Sequence, residues 1–257
     1  MPTIETVKSV QKAFKILNCF TLETPELGIT ELSRKLKTSK STMHRLLNSM
    51  QNEGFIMQNP SNQRYRLGYS ILRLSEIVLA GTNIRNIALP FLKDLRDKTG
   101  ETTGLNIIYK KSRICIEKAE SRHELRRFIE IGKPLPVYAG ASGKMLLAHQ
   151  ERSYIEEVIR ETNLEAITEK TVTDPERLYN ELNEIKAQGH CITYGEYSIE
   201  ATSISAPVFD HRHNAVASIN VSGPGFRFSP DKIEEYKKLV IEAAEKISEQ
   251  IGYRENR

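Results

Sequence analysis

Two groups of residues have the types and spacing to do chemistry. The first is Ser39, Lys40, Ser41, Thr42, His44, Arg45 and Asn48, followed by Gln63, Arg64 and Tyr65. Arg and Asn side chains match the hydrogen-bonding edges of guanine and adenine in a major groove. Hydroxyl and ammonium groups at a helix start match phosphates. Gln63, Arg64 and Tyr65 follow in a second segment suited to backbone or minor-groove contact.

The second group is the run 135–144, in which Gly140, Ala141, Ser142 and Gly143 lead into a helix. Unpaired amides at a helix start favour an anion, although a plain helix start is the ordinary alternative. A phosphate-binding P-loop is excluded, because Tyr138 stands where its first glycine belongs and Met145 where Ser or Thr would bind magnesium. A nucleophile elbow would need glycine in place of Lys144. Ser142 and Lys144 as an acyl-transfer pair have no placed base or oxyanion partner, so no catalytic residue is assigned. His211 and His213 have no third ligand and read as a surface turn; no metal or cofactor is expected. Cys19, Cys115 and Cys191 are odd in number and include no C-x-x-C pair, which points to reduced, buried thiols.

The charge distribution separates the two groups. The 257 residues include 37 Lys and Arg against 33 Asp and Glu. Residues 1–67 hold ten against five, a net of +5, and residues 68–257 hold 27 against 28, a net of −1. The whole positive excess lies in the first quarter, as expected when one small domain meets a polyanion and the rest does not. Charge confined in this way argues against a general DNA-packaging role. No apolar run reaches the roughly 18 residues of a membrane span, and Met1 to Lys8 has no signal-peptide pattern, so a cytoplasmic protein is expected.

The positioning elements follow from periodicity. Apolar residues at Val10, Ala13, Phe14, Leu17 and Phe20 predict a first helix ending near Thr21. Thr30 is the expected N-cap of a short second helix. In a third helix Met43, Leu46, Leu47 and Met50 face inward while Ser41, Arg45, Asn48 and Asn52 face out, with Thr42 and His44 flanking. Gly54 ends it, and a hairpin of 55–58 and 64–67 follows, bearing Arg64 and Arg66. Three short helices and a basic hairpin are the order of a winged helix-turn-helix. Residues 69–80 read as a linker helix and 84–99 as a helix with Pro90 inside. Strands at 102–109, 113–119, 127–131, 190–194, 203–210 and 215–222 then alternate with helices at 143–149, 153–161 and 174–188. A mixed sheet is expected, closed by a long helix from Ser229. The expected domains are 1–68, a 69–82 linker, and 83–257.

These motifs resemble the isocitrate lyase regulator (IclR) family of bacterial transcription factors, over nearly the whole length from about Ser9 to Tyr253. The likeness rests on Lys40-Ser41-Thr42 with Arg45-Leu46-Leu47, Tyr65-Arg66-Leu67-Gly68, Gly143-Lys144 with Leu147-Ala148, and Thr173-Asp174 with Leu178 and Leu182. It extends to Gly189 with Glu196, Ala206-Pro207-Val208, and Val221-Ser222-Gly223-Pro224. The resemblance implies an α+β chain: an N-terminal winged helix-turn-helix, a linker helix, and a GAF-like mixed α/β domain that binds a small-molecule effector. It also implies homodimers, commonly paired into homotetramers, on an inverted-repeat site in double-stranded DNA. The effector positions it implies are Ala141, Ser142, Thr193, Ser203, Asn220 and Ser222, with Leu125, Phe128 and Met145 as apolar walls. Tyr138, Gly140, Thr193, Ser203 and Asn220 replace a frequent His, Thr, Asp, Cys and Ser of the family, leaving a neutral pocket suited to a hydroxylated carboxylate such as a sugar acid. Thr38 and Ser39 replace the usual Leu and Pro before the recognition helix. A repressor of a catabolic operon is the expected role, with an activator of the same family as the alternative.

Overall fold

A computed structural model describes residues 7–21, 23–80 and 83–254. The chain forms two compact units, Met1–Gly81 and Thr82–Arg257.

In the first unit α1 (Lys8–Leu17), α2 (Ile29–Lys35) and α3 (Lys40–Asn52) precede the antiparallel hairpin of β1 (Ile56–Gln58) and β2 (Tyr65–Leu67), and α4 (Ser70–Ala80) follows. Gly28, not Thr30, caps α2, because the Glu31 carboxylate reaches back to accept the Gly28 N–H at 2.6 Å. Ile16, Leu32, Met43, Leu47, Met50 and Ile56 form the core. The α1 stripe differs from expectation: Ile16 is buried while Val10 and Phe14 are exposed. Leu32, Met43 and Leu47 meet from α2 and α3, and this contact selects which side of α1 turns inward.

The second unit is built on a six-stranded sheet. α5 (Asn83–Thr99) leads into β3 (Thr102–Tyr109) and β4 (Ser112–Ala119), then β5 (Leu135–Pro136), α6 (Ala141–Leu147), α7 (Arg152–Thr162) and α8 (Pro175–Gln188). β6 (Cys191–Tyr194), β7 (Ala201–Phe209), β8 (Ala215–Pro224) and α9 (Pro230–Gln250) complete it, in strand order β5-β4-β3-β8-β7-β6. All the paired strands are antiparallel, where a mixed sheet was expected; the one parallel contact is the single bridge Cys115–Ile131. The expected strand at 127–131 forms nothing beyond that bridge and is part of the connection from β4 to β5.

Strand alternation divides the sheet's two faces. Ile204, Ala206, Val208, Ala217, Ile219 and Val221 pack with Leu92, Leu95, Val240 and Ile247 of α5 and α9. Residues between them, Ser205, Ser218, Asn220 and Ser222, belong to the other face, where Ser218 Oγ donates to the Ser142 carbonyl of α6 at 3.2 Å. A second apolar cluster of Val137, Met145, Leu147, Val158, Leu178 and Leu182 ties α6 to α7 and α8. No helix among the described residues is long and apolar enough to cross a membrane.

The three cysteines are free. Burial pushes the Cys115 thiol up to about 11 and raises Cys191 further, and it raises the half-buried Cys19 as well. Alkylation of the native protein at mildly alkaline pH is therefore expected to add one group per chain, slowly and at Cys19, with Cys115 and Cys191 reacting only in denaturant. Intact-mass analysis followed by peptide mapping checks this, and rapid modification of Cys115 would contradict its enclosure.

Candidate functional site

The recognition helix of the first unit is set by its cap and its core face. Ser39 Oγ accepts the Thr42 N–H at 3.3 Å and lies 2.9 Å from Thr42 Oγ1 and 3.2 Å from Ser41 Oγ. Met43, Leu47 and Met50 are buried, so the opposite side presents Lys40, Ser41, Thr42, His44, Arg45 and Asn48 to solvent. Asn48 Nδ2 lies 3.2 Å from His44 Nδ1. Lys40 and Arg45 form no ion pair with any described carboxylate, which leaves their charge available to an external anion.

The hairpin departs from expectation at two positions. Tyr65 is 3% exposed, its ring belongs to the core, and its backbone is bridged to Leu27, so it is no surface contact. Alternation along β2 turns it inward. Arg64 is held against the unit itself: Nη2 donates to the Glu26 carbonyl at 3.0 Å and pairs with Glu31 at 2.9 Å. Gln63 sits at the left-handed turn, φ 58°, with Nε2 donating to the Pro60 carbonyl at 3.0 Å. Arg66, exposed and without an ion pair among the described residues, is the cation this wing offers.

In the second unit the structure brings six of the expected effector positions together on the α6 side of the sheet. Thr193 is paired in register with Ser203, Ser203 with Ser222, and Asn220 with Ser205 and Gly104. Ala141 and Ser142 lie above them at the start of α6. Two of the amides there have internal partners: the Ala141 N–H donates to Thr193 Oγ1 at 3.0 Å and the Gly140 N–H to Glu196 Oε2 at 3.2 Å. Leu125 and Phe128 are 62% and 54% exposed in the connection from β4 to β5, and Met145 is wholly buried in the α6–α8 cluster.

Lys144 is also spoken for. Its Nζ, buried, donates to Glu181 at 2.6 Å and Glu196 at 2.7 Å, so it is no base for Ser142. No group of three or more His, Cys, Asp or Glu that could hold a metal occurs among the described residues.

A cluster missed from sequence lies on the same side of the sheet. Arg113 of β4 donates through Nη1 to Asn106 Oδ1 at 3.3 Å, and Asn106 Nδ2 donates to Asn220 Oδ1 at 2.9 Å. Arg113 and Arg127 each lie 5.6 Å from the centre of the Tyr197 ring. Burial lowers both guanidiniums, Arg113 to about 10. Only the alternation of β4, in which Ile114 and Ile116 turn to the α5 side, marks Arg113 as facing the polar side of the sheet.

Comparison with known proteins agrees with both units. Residues 9–60 match the IclR helix-turn-helix domain and residues 76–249 the C-terminal domain of bacterial transcriptional regulators of the IclR type. The chain is 33% identical to the HTH-type transcriptional regulator KdgR of Escherichia coli over 97% of its own length and 94% of that protein's. It is 32% identical to the HTH-type transcriptional regulator KipR of Bacillus subtilis, over 96% and 98%. Among solved structures, Thermotoga maritima IclR superposes with a TM-score of 0.79 at 30% identity, covering 95% of this chain and 99% of that one. An IclR homolog from Microbacterium hydrocarbonoxydans, solved with 4-hydroxybenzoate, gives 0.83 at 25%, also over 95% and 99%. The curated relatives are named as transcriptional regulators. With a DNA-binding helix-turn-helix at its start and the regulator domain after it, the chain belongs to the IclR family of bacterial transcriptional regulators.

Proposed function

We propose that this regulator is a cytoplasmic repressor of a catabolic operon, acting as a homodimer or homotetramer on an inverted repeat and controlled by a small hydroxylated carboxylate such as a sugar acid. The observation that carries the DNA half is the exposed side of α3, where Lys40, Arg45 and Asn48 stand without internal carboxylate partners above a buried Met43, Leu47 and Met50. Exposed apolar side chains on α1 (Val10, Phe14) and α4 (Leu72, Ile77) support association between copies. The effector half is supported by the hydroxyl and amide residues around Thr193, Ser203, Asn220 and Ser222, and by the carboxylate bound to the Microbacterium relative.

Arg45→Ala tests the reading at its centre. Loss of a bidentate guanine contact should cost about 1 to 3 kcal/mol on the DNA upstream of the regulated operon and much less on random duplex. Competition gel shifts measure both. An equal loss on the two DNAs would reassign Arg45 to phosphate, and no binding by the wild type at low salt would end the regulator reading.

A further inference from the structure

The other enclosed cations of the second unit are neutralised from within. Lys144 is held by Glu181 and Glu196, Arg227 by both oxygens of Glu101, and Arg85 lies 2.7 Å from Glu117. Arg113 and Arg127 are the exceptions. They flank one tyrosine ring, close enough for each to feel the other's charge, and neither has a carboxylate within ion-pair distance among the described residues. Glu196, the nearby candidate in the Tyr197 loop, is spent on Lys144 and the Gly140 N–H.

Arg113 is built into place. A methyl group on Gly143 would lie 3.1 Å from Arg113 Cδ and 2.5 Å from the Val137 carbonyl oxygen, so α6 sits tightly on the arginine stem. Toward the tip, the glycine at Gly140 leaves Arg113 Nη2 3.9 Å from where a Cβ would stand. Arg113 Nε is enclosed and without a hydrogen-bond partner, yet part of the side chain remains accessible. The Arg113 side chain is thus enclosed at Nε but not wholly cut off from solvent. Two like charges held out of water without a counter-ion destabilise a fold, and an anion arriving between them removes that cost.

We propose that Arg113, with Arg127 as its second cation, is the carboxylate receptor of the effector site, and that Asn106 and Asn220 extend that receptor toward the ligand's hydroxyl groups. This rests on the effector reading above and adds to it that guanidinium groups take part in reading the anion. Arg suits the task because its planar fork matches both carboxylate oxygens, which an ammonium cannot do.

The test uses the full chain, with sodium gluconate and sodium 4-hydroxybenzoate as probes and glucose and methyl 4-hydroxybenzoate as their uncharged counterparts. Melting curves and titration calorimetry are recorded for wild type, Arg113→Met and Arg113→Lys. At least one acid should raise the wild-type melting temperature while its uncharged counterpart does not. Arg113→Met should bind that acid at least about tenfold more weakly, with Arg113→Lys between. Without ligand, Arg113→Met should melt at or above the wild-type temperature, because an uncompensated charge has been removed. A purely structural arginine would behave oppositely, so an Arg113→Met protein that melts well below wild type overturns the proposal. Equal affinity of wild type and Arg113→Met for the acid, or no response of the wild type to either acid, also overturns it. Neither readout involves DNA, so a failure here is separable from a failure of the regulator reading, which gel shifts decide.

Discussion

Gly68→Ala is expected to abolish operator binding at 37 °C by unfolding the wing. A Cβ at this position would stand 2.1 Å from the Gly54 carbonyl oxygen and 2.8 and 2.9 Å from the carbonyl carbons of Gly54 and Phe55. All three are backbone atoms and cannot swing aside as a side-chain tip would. The close approach exists because the chain leaving β2 folds back on the turn that ends α3. The Gly68 N–H donates to the Phe55 carbonyl at 2.8 Å, the Ser70 N–H to Gly54 at 3.2 Å, and Ser70 Oγ to Glu53 at 3.0 Å. Gly54 itself has φ +74°, and a Cβ there would meet Ser70 Oγ at 2.5 Å. The two glycines therefore interlock. Separating them by the width of a methyl group breaks these three hydrogen bonds and shifts β2 against β1, and such backbone displacement costs about 3 kcal/mol or more. That is a large share of the stability of a unit of some 80 residues. Protease sensitivity confined to the first unit, with loss of operator binding, is the expected readout. Wild-type affinity in Gly68→Ala would show that the approach is slack.

This glycine also shows how far the sequence could be read. Its place after Tyr65-Arg66-Leu67 is plain, but the reason for it, the carbonyl of Gly54 arriving from fourteen residues upstream, is a tertiary fact that no local pattern carries. Elements with local signals were legible. Asp174 caps α8 by accepting the Arg177 N–H at 2.7 Å, Pro175 opens it, and Gly189 closes it at φ +71°. The four-residue spacing of Met43 and Leu47 placed the buried side of α3 and hence its outward residues. Where two patterns were locally equivalent, the reading failed. Residues 127–131 read as a strand, but the edge of β4 beside them is taken by β5 and they gain only one bridge.

The candidate site divides along the same line. Period-two alternation gathers Ser218, Asn220 and Ser222 on one side of β8, whereas the expectation at Asn220 and Ser222 came from the family resemblance. The state of the α6 start was not readable, because its Ala141 and Gly140 amides are met by Thr193 and Glu196, some 52 to 56 residues further on. Arg113 carries no local signal beyond the alternation of β4, and its neighbour Tyr197 lies far along the chain. Whether a charge is solvated, paired or stranded depends on side chains distant in sequence.

Lys144→Met is expected to destabilise the second unit by about 3 to 5 kcal/mol, the usual cost of leaving a buried ion pair with one partner. Lys144 is 1% exposed, and two carboxylates converge on its Nζ from α8 and from the loop after β6. The two would not suffer equally. Glu181 keeps Arg177, whose Nε donates to its other oxygen at 3.0 Å, and it is partly solvated. Glu196, at 13% side-chain exposure, would be left with a single backbone N–H from Gly140. Most of the penalty therefore belongs to Glu196, and this can be measured. In a double-mutant cycle, adding Glu196→Gln to Lys144→Met should recover roughly 1 kcal/mol or more relative to the sum of the single variants, because the stranded charge is then gone. Denaturant melts of the three proteins give the coupling. Strict additivity would mean that Glu196 finds water once Lys144 is lost, and that the loop carrying Tyr197 is held by its Thr168 and Thr171 hydroxyl contacts to the Gly195 and Glu196 carbonyls instead. Recovery would instead make Lys144 the post that fixes this loop, and with it the ring between the two arginines.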